Sequence, residues 1–324
     1  MKPILYIVIP CYNEEAVLPV TAPLFVGKLT ELVQAGVIHE DSRVLFVNDG
    51  STDRTWQLIR CLSEEHTVCT GISLSRNCGH QNALLAGLEA ATEKCDISIS
   101  MDCDGQDDID AVDGMIAAYL DGADVVYGVR DDRKTDSFWK RTTAQTFYRL
   151  MRVLGADIVY NHADFRLISA KVLRALSQYG EVNLFLRGML PLIGFKSTCV
   201  YYSRKARIAG KTHYSVRRML SFAMDGITSL TVRPIRLIFA MGFFVALISF
   251  IGIIWSVIGY FMGNTVAGWS SLVCIICFVS GMQCLCIGVI GEYVGKIYME
   301  TKRRPRYHIA DETIGDRDDT VQKE

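Results

Sequence analysis

Short apolar runs alternate with longer amphipathic stretches over residues 1–130 of the chain. The apolar runs are rich in Val and Ile, which is typical of buried strands, and the stretches between them have the length of helices. Strands alternating with helices predict an α/β fold with a mostly parallel sheet covered on both faces. The predicted strands are residues 4–9, 43–47, 71–74, 97–101 and 124–129, and the predicted helices are residues 15–34, 53–65, 80–93 and 110–120.

Polar clusters follow the predicted strands, at the point where each strand ends. Ligands of parallel α/β sheets bind outside the carboxyl ends of the strands, so side chains that follow different strands meet there. This coincidence is the first indication of a binding site. The clusters are Tyr12-Asn13-Glu14, Asn48-Asp49-Gly50-Ser51, Arg76-Asn77 and Asp102-Cys103-Asp104.

Two apolar segments in the C-terminal third predict a membrane anchor. Residues 237–262 carry no charge, and Gln283 is the only strongly polar side chain in residues 269–291. Each segment exceeds the roughly 20 residues that a helix needs to cross the hydrocarbon core. Two transmembrane helices are therefore predicted, although a buried hairpin in a soluble protein has the same pattern.

Charge flanking these segments predicts their orientation. The loop between them, residues 263–268, is uncharged, so the positive-inside rule places both basic flanks in the cytoplasm and the loop outside. The apolar run at residues 4–10 is too short for a signal peptide. A multi-pass protein of the cell membrane with a cytoplasmic N-terminal region is expected. The flanking basic residues are Arg233, Arg236, Lys296, Lys302, Arg303, Arg304 and Arg306.

The remaining segments complete the predicted organisation. A helix is predicted at residues 138–154 and an apolar strand near Cys199, and residues 214–232 carry a helical apolar stripe. That stripe favours an interfacial helix in the headgroup layer, with an ordinary amphipathic core helix as the alternative. The polar, acidic tail after Ile309 is expected to be disordered. The predicted divisions are residues 1–213, 214–232, 233–295 and 296–324.

Charge and composition limit the kinds of binding partner that are expected. The net charge of −1 gives nucleic acid no bulk electrostatic attraction, so no nucleic-acid partner is expected. Of the 11 cysteines, four lie inside the second apolar segment and four others lie in or beside apparent strands, which indicates buried thiols instead of a disulfide framework. Gly and Ser within the uncharged spans favour packing between copies, and hence a homo-oligomer.

Asp102 and Asp104 end an apolar strand and are followed by Gln106. Two carboxylates at one strand end can converge on a divalent cation, and the amide of Gln106 can add a neutral oxygen. Hard oxygen ligands suit Mg²⁺ or Mn²⁺, which commonly bridge carboxylates to substrate phosphates. An Asp-x-Asp pair is common in solvated loops, so its weight comes from its position after a strand.

Asp49 also follows a strand and precedes a helix. A turn with an N-cap explains part of this segment, because Ser51 or Asp53 can cap the helix and Gly50 can take a special backbone angle. The corner after the first strand offers an aromatic ring and a carboxylate to a base and a ribose.

These motifs together resemble glycosyltransferase family 2, in particular polyprenyl-phosphate glycosyltransferases such as dolichol-phosphate mannose synthases and bacterial undecaprenyl-phosphate glucosyltransferases. The resemblance covers nearly the whole chain, residues 4–306. The motifs are Pro10-Cys11-Tyr12-Asn13-Glu14-Glu15, Asn48-Asp49-Gly50-Ser51-Thr52-Asp53, Ser75-Arg76-Asn77, Asp102-x-Asp104-x-Gln106-Asp107 and Asp164-Phe165-Arg166.

The resemblance implies a GT-A fold and inverting transfer of a hexose from a nucleotide sugar, UDP-glucose above all, to a polyprenyl phosphate for cell-envelope glycosylation. It implies a metal at Asp102, Asp104 and Gln106, and an acceptor side with Arg130, Arg141, Asp164 and Arg166. The donor-binding residues it implies are Pro10, Tyr12, Glu14, Asp49, Arg76, Asp102, Cys103, Asp104, Arg207 and His213.

Two departures and three alternatives accompany this interpretation. The family's usual Gly-x-Ser-Lys-Tyr reads Gly210-Lys211-Thr212-His213-Tyr214, so Lys211 can cover the role of the lysine, and the family's Asp-Pro-Pro-Glu is absent. A processive polysaccharide synthase shares the donor domain, but it needs a channel and a general base. GDP-mannose would use the same carboxylates, and a non-catalytic scaffold would not need Asp49, Asp102 and Asp104.

Overall fold

The computed structural model of the chain describes residues 2–131, 162–181, 186–203, 233–262 and 268–313. The strands are β1 (Leu5–Cys11), β2 (Arg43–Asn48), β3 (Cys69–Leu74), β4 (Ile97–Ser100), β5 (Val125–Arg130), β6 (His162–Ser169), β7 (Ser197–Tyr202) and β8 (Ile309–Glu312). The helices are α1 (Leu18–Gln34), α2 (Thr55–Glu65), α3 (His80–Ala91), α4 (Ala111–Leu120), α5 (Ala170–Ser177), α6 (Leu186–Ile193), α7 (Arg233–Phe261) and α8 (Trp269–Lys302).

Within the described residues these strands form one 8-stranded mixed sheet, in the order β7-β5-β6-β4-β1-β2-β3-β8. β1 pairs in parallel with β2 and β4, and β2 with β3. β6 lies antiparallel between β4 and β5, where Arg166 pairs with Ser100 on one side and Tyr127 on the other. The first residues of β6 therefore meet the carboxyl ends of β4 and β5.

Alternating side chains of the central strands enter two apolar layers, one on each face of the sheet. Ile7 of β1 packs in the layer that contains Phe25 of α1, whereas the adjacent Val8 packs in the layer that contains Leu84 of α3. β1 is therefore apolar on both faces, and its polar residues follow at its carboxyl end.

The predicted strands and helices of residues 1–130 are confirmed, with small changes at their ends. α1 begins at Leu18 instead of residue 15, with Pro19 in its first turn, where a missing N–H costs no hydrogen bond. The apolar strand predicted near Cys199 is β7. The helices predicted at residues 138–154 and 214–232 lie outside the described residues.

Long apolar helices occupy the C-terminal third, as predicted. Along the described parts of α7 and α8, large apolar side chains such as Phe239, Trp255 and Ile275 are exposed. By length and composition, one described helical stretch, Phe278–Lys302, is able to cross a membrane. The other predicted span, residues 237–262, stays a prediction, as does the orientation of both.

The prediction of a disordered tail after Ile309 is wrong for its first residues. Residues 309–312 form β8, which pairs antiparallel with the edge strand β3. Thr313 adds two bonds to Gly71: the Thr313 N–H donates to the Gly71 carbonyl at 2.8 Å, and the Gly71 N–H donates to Thr313 Oγ1 at 2.7 Å. The free backbone groups of β3 thus order a segment that has no apolar pattern of its own.

Candidate active site

Hydrogen bonds between side chains and backbone amides link the loops after β1 and β2. The N–H of Asn13, at a left-handed φ of 55°, donates to Ser51 Oγ at 3.0 Å. The N–H of Thr52 donates to Asn13 Oδ1 at 2.9 Å, and the N–H of Glu14 donates to Thr55 Oγ1 at 2.8 Å. These bonds satisfy backbone donors near the starts of two helices, so they hold the two loops together.

Asp49 follows β2, and its carboxylate is buried. Its Oδ1 accepts a hydrogen bond from the N–H of Cys78 at 2.7 Å, and its Oδ2 accepts one from the N–H of Gly79 at 3.0 Å. Burial raises the pKa of Asp49, and the two amides oppose that shift. Both oxygens therefore support the start of α3, and the predicted contact with a nucleotide stays a prediction.

Gly50 brings the loop after β2 against the loop after β3. Its φ is +61°, and a Cβ added there would lie 2.3 Å from the backbone carbonyl carbon of Arg76. Glycine is thus required both for the left-handed conformation and for the close approach of the two backbones.

Asp102 and Asp104 lie just beyond β4, at the same edge of the sheet. The N–H of Gln106 donates to Asp104 Oδ1 at 3.1 Å, which turns the chain back at this point. Burial raises the pKa of Asp102, and the carboxylates of Asp164 and Asp104 add to that shift against the opposing charge of His80. A divalent cation would relieve this repulsion, and the oxygen donors present fit Mg²⁺ or Mn²⁺. In the described part of the chain, no three His, Cys, Asp or Glu side chains are grouped as metal ligands, and the metal at Asp102, Asp104 and Gln106 stays a prediction.

Arg130, at the end of β5, contacts Tyr202 and Asp107. Its Nε donates to Tyr202 Oη at 3.2 Å, and its Nη2 lies 3.8 Å from Asp107 Oδ1. The Tyr202 hydroxyl donates to the same Asp107 oxygen at 2.6 Å. Burial raises the pKa of Asp107 to about 6. Arg130 is therefore held in one position, with 26% of its side chain exposed at the sheet edge.

Asp164, near the start of β6, is buried and paired with three cationic side chains. Arg187 of α6 donates twice, from Nε to Oδ1 at 3.1 Å and from Nη2 to Oδ2 at 2.9 Å. Arg166 Nη2 donates to Oδ1 at 3.0 Å, and His80 Nε2 lies 3.3 Å from Oδ2. Burial alone would raise the pKa of Asp164, but Arg187, His80 and Arg166 hold it well below its ordinary range. We call these four residues the Asp164 network.

The Asp164 network reaches the carboxylate pair through one histidine. His80 Nε2 lies 3.9 Å from Asp102 Oδ1 as well as 3.3 Å from Asp164 Oδ2. Residues that follow β3 and β4 and a residue of β6 therefore lie around one position at the carboxyl edge of the sheet.

Other predicted donor residues vary in their exposure. Pro10 is buried in β1, whereas Tyr12 beside it is 46% exposed, and the exposed side chain of Arg76 donates to the carbonyl of Asn77. Cys103 is buried, with its sulfur 3.8 Å from Thr21 Oγ1, so its thiol lies in the core. Arg141, Arg207 and His213 lie outside the described residues.

Three residues of this site were missed by the sequence interpretation. His80 was assigned only to the start of a predicted helix, and Arg187 was given no role. Tyr202 lay beside the predicted strand near Cys199. The position of His80, three residues after the Arg76-Asn77 cluster, was a signal for it, whereas the partners of Arg187 and Tyr202 are distant in sequence.

The mixed α/β sheet and the polar residues at its carboxyl edge are those of one class of protein, the glycosyltransferases with a GT-A-like α/β domain. The profile of the family described as glycosyl transferase family 2 matches residues 6–177. The chain is 50% identical to the uncharacterized glycosyltransferase YkoT of Bacillus subtilis, over 95% of this chain and 91% of that protein. The chain therefore belongs to glycosyl transferase family 2, as predicted, and is a glycosyltransferase.

A second relative has a more specific name. The chain is 38% identical to the prophage bactoprenol glucosyl transferase homolog of Escherichia coli, over 94% of this chain and 97% of that protein. Among solved structures, glucosyl-3-phosphoglycerate synthase from Mycobacterium tuberculosis, in complex with Mn²⁺ and UDP, matches with a TM-score of 0.45 at 16% identity. That match covers 71% of this chain and 80% of the other.

Proposed function

We propose that this protein transfers a hexose, with inversion, from UDP-glucose to a polyprenyl phosphate at the cytoplasmic face of a membrane. The observation that carries the proposal is the carboxylate pair Asp102 and Asp104, which lies beside the partly exposed cations of the Asp164 network at one edge of the sheet. Relatives named bactoprenol glucosyl transferase support a lipid-linked phosphate as the acceptor.

The donor side of the reaction falls to Asp102, Asp104 and Gln106. A divalent cation held by these residues would neutralise the leaving diphosphate as the glycosidic bond breaks. Tyr12 and Glu14, in the corner after β1, are proposed to contact the base and the ribose. Asp49 contributes by supporting the loop that precedes α3.

The acceptor side needs no strong general base. A phosphate monoester has a second pKa of about 6, so it is mostly a dianion and already a nucleophile at neutral pH. Asp164 is poorly suited to remove a proton, because three cations stabilise its ionised form. Arg130 is proposed to aim the acceptor phosphate by charge-assisted hydrogen bonds, together with Arg141.

A membrane anchor gives the lipid acceptor access to this site. A polyprenyl chain stays in the bilayer, so the enzyme must hold its site against the surface. We propose that α7 and α8 both span the membrane, with the uncharged loop at residues 263–268 outside and residue 302 in the cytoplasm. A reporter fused at each position tests this, and a cytoplasmic signal from the loop would contradict it.

A donor screen tests the proposed function. The purified full chain is mixed with undecaprenyl phosphate, Mg²⁺ or Mn²⁺, and UDP-glucose, UDP-galactose, UDP-N-acetylglucosamine or GDP-mannose. The expected result is a single lipid-phosphate hexose from UDP-glucose, with inverted anomeric configuration by NMR. Transfer from GDP-mannose alone would change the donor. A polymeric product, or nucleotide release that does not depend on the lipid, would overturn the proposal.

A further inference from the structure

Both carboxylate oxygens of Asp164 are occupied. Oδ1 accepts from Arg166 and from Arg187 Nε, and Oδ2 accepts from Arg187 Nη2 and faces His80. A carboxylate with this many donors is an anchor for the cations around it, not a group held ready for substrate. The question is then what the arrangement positions.

Arg187 is the member of the Asp164 network that comes from the most distant part of the fold. It lies in the first turn of α6 and reaches β6 with the two parallel bonds that a guanidinium fork makes to a carboxylate. This contact fixes α6 relative to β6 at the edge where β4 and β5 also end. A side chain with a single donor could not fix the carboxylate plane in the same way.

His80 is held from the opposite side. Asp49 accepts hydrogen bonds from the amides of Cys78 and Gly79, the two residues directly before His80. Gly79 has a φ of +88°, which directs the chain into α3. The imidazole consequently lies between Asp164 and Asp102, with Nε2 within 4 Å of both carboxylates.

We propose that His80 and Arg187 are positioning residues for the transfer reaction, which keep Asp164 and Asp102 at a fixed separation. This proposal rests on the proposed function. In it, His80 and Arg187 align the acceptor phosphate with the reacting carbon of the donor. We expect nucleotide binding to survive the loss of either residue, because the loops after β1 and β2 are held by their own hydrogen bonds.

The test compares acceptor use with nucleotide binding in the full-length protein. Arg187→Ala is expected to lower kcat/KM for undecaprenyl phosphate about 100-fold, and His80→Ala about 10-fold, because misalignment of bound reactants costs rates of this order. Binding of UDP with Mn²⁺ is expected to stay within about twofold of the wild type by titration calorimetry, since only the alignment is lost. His80→Gln keeps an N–H donor and should recover part of the loss, whereas Arg187→Lys keeps the charge without the fork and should stay about 10-fold impaired.

Matched controls lie elsewhere on the same domain. His39 is as exposed as His80 and pairs with Asp41, and Arg174 donates one bond to Glu93 on the surface of α5. His39→Ala and Arg174→Ala should leave both readouts unchanged. Melting temperatures identify a variant that fails to fold, and for Arg187 the Lys variant then decides.

Three results would overturn the proposal. The first is kcat/KM for the lipid within about threefold of the wild type in Arg187→Ala and His80→Ala, or in Arg187→Lys where the Ala variant does not fold. The second is an equal loss in UDP binding, which would place the pair on the nucleotide side. The third is a wild-type protein that does not use undecaprenyl phosphate, which would overturn the proposed function and this inference together.

Discussion

Two regions of the candidate site are held in place by different forces. The loops after β1, β2 and β3, which we call the nucleotide-side loops, are linked mostly by hydrogen bonds from backbone amides to short polar side chains. The Asp164 network is instead a compact group of charges, in which Arg166 is fully buried and Asp164 is 7% exposed.

This difference predicts how each region responds to damage. One neutral hydrogen bond contributes about 0.5–1.5 kcal/mol, so the nucleotide-side loops lose stability in small steps. A buried charge that loses its partner costs about 3–5 kcal/mol, because the remaining charges stay desolvated. The Asp164 network should therefore fail as a unit, whereas the nucleotide-side loops should weaken gradually.

The largest effect is expected from Asp164→Asn. The amide keeps the shape of the carboxylate but removes its charge, which should lower the free energy of unfolding by about 3–5 kcal/mol at pH 7. Denaturant unfolding in detergent measures this. Asp41→Asn, at an exposed carboxylate paired with His39, should cost less than about 1 kcal/mol. Equal effects at the two positions would remove the distinction between the regions.

The same variant has a defined pH dependence. The folded-state pKa of Asp164 is depressed, so its stabilisation is complete above the unfolded pKa of about 3.9 and is lost as the pH falls through the lower folded value. On the acid side, the stability difference between the wild type and Asp164→Asn should narrow only below about pH 4. It should also shrink as the pH rises through the pKa of His80, which Asp164 raises, because the imidazole then loses its charge. A difference that disappears near pH 6 would contradict the ion pairing.

Asp104→Asn should separate chemistry from folding. Removal of one proposed metal ligand is expected to lower transfer at least 100-fold, a barrier increase of about 2.7 kcal/mol, while the melting temperature stays unchanged. Turnover at saturating Mn²⁺ is the measurement. Retention of more than about a tenth of wild-type turnover, a loss below about 1.4 kcal/mol, would argue against the metal assignment.

Gly50→Ala tests the contact between two of the nucleotide-side loops. The added Cβ meets the backbone of Arg76 at a left-handed φ, which should cost about 1–3 kcal/mol of folding stability. Gly27→Ala is the matched control, because that glycine lies inside α1 with nothing within 4 Å of the new Cβ. The control should be neutral or stabilising by about 0.5–1 kcal/mol, the difference in helix propensity.

The smallest effect is expected from Ser51→Ala. It removes one acceptor, the Oγ that receives the N–H of Asn13, in an exposed position. A loss of about 0.5–1 kcal/mol in unfolding free energy is expected, with nucleotide affinity reduced only slightly. A loss as large as that of Asp164→Asn would mean that the nucleotide-side loops also fail as a unit.

The parts of the fold that sequence patterns predicted are those with local signals. β1 to β5 and α1 to α4 each carry their own apolar periodicity. The clusters that contain Asp49 and Asp104 come directly after predicted strands. The Asp164 network has no such signal, since Arg187 and Asp164 meet only because β6 runs antiparallel between β4 and β5.

β8 was not predictable for a related reason. Its four residues, Ile309–Glu312, are exposed and have no apolar alternation, and their order comes from the free edge of β3. A short polar strand is specified by its partner more than by its own sequence. The sequence therefore indicated a tail where the structure has an edge strand.

The connection from α8 to β8 limits how far the sheet can lie from the end of α8. α8 ends at Lys302 and β8 begins at Ile309, so even a fully extended connection spans at most about 25 Å. Arg306 shortens it further by donating to the carbonyl of Tyr179 at 2.5 Å. With α8 in the bilayer, as proposed, the sheet is tethered to the membrane through β8. The lipid then meets the site by lateral diffusion in two dimensions, at an effective concentration set by its density in the membrane.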